Sequence, residues 1–185
     1  MMAAASAPTP PAATVLASPA QSGPVALGTG PTRINLRVTA PAAPPPAAPP
    51  TGGQASASLA PLGARLQALP SERRIYVVIA DLSAATTPEA LYRVYLDLPE
   101  GTPDDPVNSH YLGSFNFFDA GAGGGGHQDD HQGASKPFSF DATNVIANLE
   151  ARGALKQEHS VAIVPSGQPS EDAKPVVGSI SIVEQ

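Results

Sequence analysis

The clearest pattern in the chain is TRINLRVT (residues 32–39), where Ile34, Leu36 and Val38 alternate with Arg33, Asn35 and Arg37. Successive side chains of a strand point to opposite faces, so this period of two predicts a strand with one face buried. RRIYVVIADL (73–82) is apolar on both faces and reads as a central strand. LYRVYLDL (91–98) alternates again, with Tyr92, Val94, Leu96 and Leu98 on one face and Arg93, Tyr95 and Asp97 on the other. In HYLGSFNFF (110–118), Tyr111, Gly113, Phe115 and Phe117 share a face, while Phe118 ends a mostly polar row of Leu112, Ser114 and Asn116. PFSF (137–140), HSVAIVP (159–165) and VVGSISIV (176–183) add three more strands. One helix is expected, opened by Asp141 as N-cap, carrying Val145, Ile146 and Leu149 as its apolar stripe, and stopped at Gly153. Seven short strands and one helix predict a mostly β fold, an antiparallel β-sandwich.

Composition divides the chain. Most of its 22 prolines precede Ser71, whereas every aromatic residue follows it, so the first third has little from which to build a core. Residues 1–23 read as a disordered Ala/Pro-rich tail, and 24–39 as a leading strand that docks on the body. Residues 40–68 read as a flexible insert rich in Pro, Gly, Ala and Ser, and 69–185 as the sandwich body. PEGTPDDPVN (99–108) is a turn, and AGAGGGGHQDDHQGAS (120–135) holds too much glycine for a regular element.

Charge narrows the function classes. Residues 1–70 carry three arginines and no acid, while residues 71–185 carry seven basic and 16 acidic side chains, +3 against −9. An acidic body with scattered lysines lacks the clustered cations that neutralise phosphates, so no nucleic-acid partner is expected. The same imbalance predicts that Arg33 and Arg37 dock near acids. Without cysteine there are no disulfides or thiolate metal sites. No apolar stretch approaches the ~20 residues of a spanning helix, and the N-terminus lacks a basic n-region, so no membrane partner and a cytoplasmic location are expected.

Candidate chemistry is sparse. His127 and His131 flank Asp129 and Asp130 in HQDDH, a spacing able to place two imidazoles and a carboxylate on Cu²⁺ or Zn²⁺. The preceding glycines make ordering those ligands costly, so only weak Cu or Zn binding is expected, the alternative being a solvated loop tip. His110 and His159 stand without the context of a nucleophile or its base. GAGGGG lacks the Lys-Ser/Thr of a phosphate loop, and DLPEGTPDD reads as a solvated turn rather than a carboxylate pair.

Taken in order, VALGTGPTRINL, RRIYVVIADL, YRVYLDLPEG, HYLGSFNFFDA, FSFDATNVIANL, SVAIVP and VGSISIVE resemble the C-terminal β-domain of tyrosinases and polyphenol oxidases. The resemblance covers residues 24–185 apart from the Pro-rich insert. It implies a noncatalytic domain, detached or truncated, whose partner is a helical tyrosinase-like catalytic domain with six histidines holding two coppers. His110, His127, His131 and His159 cannot furnish those paired sites, so no cofactor is expected in this chain and no phenol oxidation by it alone. In the resembled enzymes this domain packs over the copper site, often with one bulky residue at its mouth. Phe118, and next Phe117, fit that shielding role; the alternative places both in the core. Two other functions stay open: a standalone copper-binding or copper-delivery protein using the His127–His131 loop, and a generic β-sandwich binding module.

Overall fold

The computed structural model describes residues 13–21, 23–38, 62–70, 73–118, 120, 136–156 and 158–185. Its strands are β1 (Thr14–Pro19), β2 (Val25–Ala26), β3 (Thr32–Val38), β4 (Ile75–Ser83), β5 (Leu91–Leu96), β6 (Tyr111–Phe115), β7 (Phe138–Asp141), β8 (His159–Ser166) and β9 (Val176–Glu184). Helix α1 (Leu62–Gln67) precedes β4, α2 (Thr143–Ala151) follows β7, and a 3-10 turn spans Glu171–Ala173. All pairing is antiparallel, in the order β6-β5-β8-β3-β1-β9-β4-β7, with β2 beside β9. The antiparallel, mostly β class is the one the alternation predicts, and the sheet is rolled into a nearly closed, barrel-like shape.

Closure is made by side chains. The edge strands β6 and β7 meet with Phe115 against Phe138, centroids 5.7 Å apart, and with Phe140 lying over Gly113. A Cβ at position 113 would stand 2.6 Å from the Phe140 ring, so only glycine lets the seam shut. Inside, Tyr92 stacks on Phe115 at 5.6 Å and meets Phe117 edge-on at 5.2 Å, within a core that includes Leu16, Leu36, Ile75, Val77, Ile79, Val161 and Ile182.

Strand register gives the barrel two ends. Thr14, Val38, Ile75, Asp141, His159 and Glu184 lie at one, where Thr143 Oγ1 accepts the Ile75 amide at 3.0 Å and Gln67 donates to Glu150 at 2.8 Å, so both helices gather there. Pro19, Thr32, Ser83, Leu91, Phe115, Phe138 and Ser166 lie towards the other, the loop end.

Several local readings change. Residues 14–19, assigned to the disordered tail, form β1 between β3 and β9, with Leu16 and Ala17 fully buried. A register shift between Val15 and Ala17 puts two adjacent residues in the core, and this breaks the alternation that would have marked the strand. Residues 62–67, placed in the flexible insert, form α1, which plugs the core with fully buried Leu62. The face assigned to Leu98 also changes: Asp97 has φ 51°, the backbone turns there, and Leu98 joins Tyr95, Ala162 and Val164 in a small second core outside the sheet. A bulge that pairs Val94 with Gly113 but Tyr95 with Tyr111 sends Tyr111 to that outer core and Leu112 against the inner one. Arg33 Nη1 donates to the neutral oxygens of Leu98 O at 2.6 Å and Ser160 Oγ at 3.3 Å, and Arg33 lines a groove together with Glu100 and Asp104. The N-cap position of α2 is Ala142, although Asp141 Oδ1 accepts the Thr143 amide at 3.0 Å. Gly153, at φ 65°, ends α2 as expected: its amide reaches Glu150 O and that of Ala154 reaches Leu149 O, a Schellman arrangement.

The two buried tyrosines of β5 make opposite predictions. Burial pushes the phenol pKa of each upward, but the Tyr95 hydroxyl donates to Asp104 O at 2.6 Å, whereas the Tyr92 hydroxyl has no partner among the described residues. Tyr95→Phe should cost about 1 kcal/mol in urea unfolding, while Tyr92→Phe should be neutral or stabilising, since it removes an unsatisfied buried oxygen. Equal losses for both would contradict the assignment.

Candidate functional site

The loop end carries two of the four large apolar side chains exposed among the described residues, Leu91 and Phe118; Val15 at the opposite end of β1 and Val107 in the β5–β6 connection are the others. β6 ends at Phe115, and the next three residues turn sharply: Asn116 Oδ1 accepts the Phe118 amide at 3.1 Å, and Phe117 O accepts the Ala120 amide at 3.1 Å. Ala120 O in turn accepts the Ala84 amide at 3.2 Å, tying the turn to the end of β4. The neighbouring phenylalanines therefore part company. Phe117 is 1% exposed, packed on Tyr92 and Phe115, so it is a core residue and no shielding candidate. Phe118 is 75% exposed.

Phe118 borders an open groove of about 410 Å³ whose other wall is the β4–β5 loop from Thr87 to Leu91. Leu91 is 49% exposed, which extends the apolar ridge. Glu89 at the lip has φ 55°, a left-handed conformation unusual for a glutamate. The loop is braced from behind, since Ser170 donates to Pro88 O at 3.2 Å and Ala85 to Ala173 O at 2.7 Å, which sets the 3-10 turn beside it. Covering one exposed phenylalanine is worth roughly 1.5–3 kcal/mol.

The remaining candidates fall elsewhere. His127, Asp129, Asp130 and His131 lie outside the described residues. His110 is buried with Nδ1 2.8 Å from Leu96 O, a structural contact at the start of β6. His159 pairs with Asp97 at 2.9 Å, both side chains being fully buried. A carboxylate only accepts, so His159 Nδ1 carries the proton; Asp97 Oδ1 also takes the Ser160 amide at 2.7 Å, and the Asp97 amide donates to Ser160 O at 2.8 Å. This cluster escaped the sequence reading because Asp97 stands on the nominally polar face of its strand, and only the turn at φ 51° carries its carboxylate inward. Among the described residues no three His, Cys, Asp or Glu side chains come together as a metal-holding group, and no helix is long and apolar enough to cross a membrane.

Comparison with known proteins leaves the activity unassigned. No curated protein matches the chain. Among solved structures, a recombinantly expressed latent aurone synthase (polyphenol oxidase) co-crystallised with hexatungstotellurate(VI) superposes with a TM-score of 0.47 at 15% identity, over 88% of this chain and 25% of its own. Latent apple tyrosinase superposes with a TM-score of 0.42 at 16% identity, over 61% of this chain and 21% of its own. The chain thus spans a quarter or less of the length of these proteins. The family model described as "Domain of unknown function (DUF7868)" matches residues 18–185, and the chain belongs to that family.

Proposed function

We propose that this chain is a noncatalytic β-domain that packs, through the ridge at its loop end, on the catalytic domain of a tyrosinase-like dicopper phenol oxidase and shields or stabilises it. The observation that carries the proposal is Phe118, a phenylalanine 75% exposed on a turn tied to β4. Shielding a reactive centre needs an apolar side chain that excludes substrate and water and does not yield. The ordered run of segments from VALGTGPTRINL to VGSISIVE supports the kind of partner. The role is one of packing, so copper belongs to the partner.

Mixing experiments test it. Adding this chain to the histidine-rich catalytic domain encoded nearest in the same genome should suppress phenol oxidation or raise that domain's solubility. Phe118→Ala should weaken the association about 30-fold, the effect of truncating one central anchor of about 2 kcal/mol. Its own unfolding should shift by no more than about 0.5 kcal/mol, because the side chain lies outside the core. No association at tens of micromolar, or equal association by Phe118→Ala, would contradict the proposal.

A further inference from the structure

The barrel closes on a seam unlike its other joints. Every other pair of neighbouring strands is held by a backbone ladder, whereas between β6 and β7 no backbone hydrogen bond runs among the described residues. Ring contacts hold the seam instead: Phe115 lies on Phe138 with centroids 5.7 Å apart, and Phe140 lies over Gly113. β6 is therefore an edge strand, five residues long and laddered to β5 alone, and that ladder is interrupted by the register shift between Val94 and Tyr95. An edge with a broken ladder opens more readily than the strands of the core.

The turn that carries Phe118 leaves from this strand and is footed on both sides of the seam. One footing is Phe115, at the end of β6. The other is the bond from the Ala84 amide to Ala120 O at 3.2 Å, just past the end of β4, and β4 is the strand to which β7 is laddered from Tyr76–Asp141 to Ile79–Phe138. Any widening between β6 and β7 must be taken up within that short turn. Phe118, with its amide held by Asn116 Oδ1 at 3.1 Å, lies between the two footings.

We infer that the β6–β7 seam sets where Phe118 stands, and that Phe140, seated on Gly113, is a positioning residue for the exposed ridge. What the ridge contacts rests on the packing role proposed above; the coupling of seam to ridge belongs to this chain alone. Phe140 is also the contact that can be removed cleanly. Phe115 is packed in the core with Tyr92 and Phe117, whereas Phe140 is only partly buried against the core's edge, so its truncation loosens the seam without emptying the barrel.

Amide exchange of the chain alone, resolved residue by residue by NMR, tests this. Phe140→Ala should speed exchange of the Ala84, Phe118 and Ala120 amides roughly tenfold and leave the α2 amides of Ile146 and Arg152 unchanged, because a lost seam contact eases a local opening and not the global one. Phe140→Leu, which keeps an apolar side chain over Gly113, should restore most of the protection. Ile146→Val, a small loss of packing at the helix end, should leave the three turn amides as they are. Against the catalytic domain, Phe140→Ala should speed dissociation roughly 3- to 10-fold in the otherwise unmodified chain and have no effect in the Phe118→Ala background, since a residue acting through that ring has nothing left to act on. Faster exchange at both ends alike, or equal effects of Phe140→Ala with and without Phe118, would overturn the inference. Local speeding at the turn with no binding by the unmodified chain would overturn the packing role and leave the seam coupling standing.

Discussion

Removing residues 1–23 should abolish the cooperative unfolding transition, although this stretch is rich in alanine and proline. The deletion takes out β1, which lies inside the sheet with β3 on one side and β9 on the other. The Ala20 amide, bonded to Asn35 O at 2.9 Å, goes with it. Losing fully buried Leu16 alone costs roughly 2 kcal/mol of apolar burial. The facing edges of β3 and β9 then carry backbone groups that the deleted strand had paired, and the core opens between them. Together these losses approach the whole stability of a domain this size, about 5–15 kcal/mol. The control, deletion of residues 1–12, keeps every strand of the described residues and should retain the transition in circular dichroism. A truncation from residue 24 that melts like the full chain would mean that β1 adds nothing to the sheet.

Asp97→Ala should be the most damaging single substitution, at about 3–5 kcal/mol in urea unfolding. Two costs coincide. The carboxylate that receives His159 Nδ1–H and the Ser160 amide disappears, leaving two buried donors unsatisfied. His159 Nε2 already has no partner among the described residues, so its ring would lose its remaining one. The backbone at φ 51° suits aspartate or asparagine better than alanine. Asp97→Asn keeps the shape and the left-handed backbone, and an oxygen for the Ser160 amide, so it should cost about 1–2 kcal/mol. A near-neutral Asp97→Ala would show that the buried pair is incidental to the end of β5.

Where period-two alternation holds, the strand was readable: Ile34 and Leu36 of β3, and Tyr92, Val94 and Leu96 of β5, face inward as their spacing predicts. What was hidden arises from shifts of register and from contacts remote in sequence. At Val15–Ala17 and at Val94–Tyr95 one inserted residue changes which positions face the core, and nothing in composition announces it. Helix α1 is only six residues long and contains a glycine; docking sustains it, with Gly63 against the Glu150 carboxylate, where a Cβ would lie 2.6 Å away. Gly178 is a parallel case. It faces Asp81 across the β4–β9 pair, where Asp81 adopts φ 57° and a Cβ at 178 would stand 2.9 Å from its carbonyl oxygen. At the loop end, Phe118 stood out as an aromatic on a polar row, whereas Phe117 could not be sorted from it before the aromatic cluster around Tyr92 was in view.

Hydrogen–deuterium exchange of this chain, alone and saturated with the catalytic domain, tests the packing role most directly. Protection should appear in peptides covering residues 84–91 and 116–118, with the helix end around α1 and α2 unchanged, because the exposed ridge lies at the loop end. Protection confined to the helix end, or none at saturation, would contradict the account.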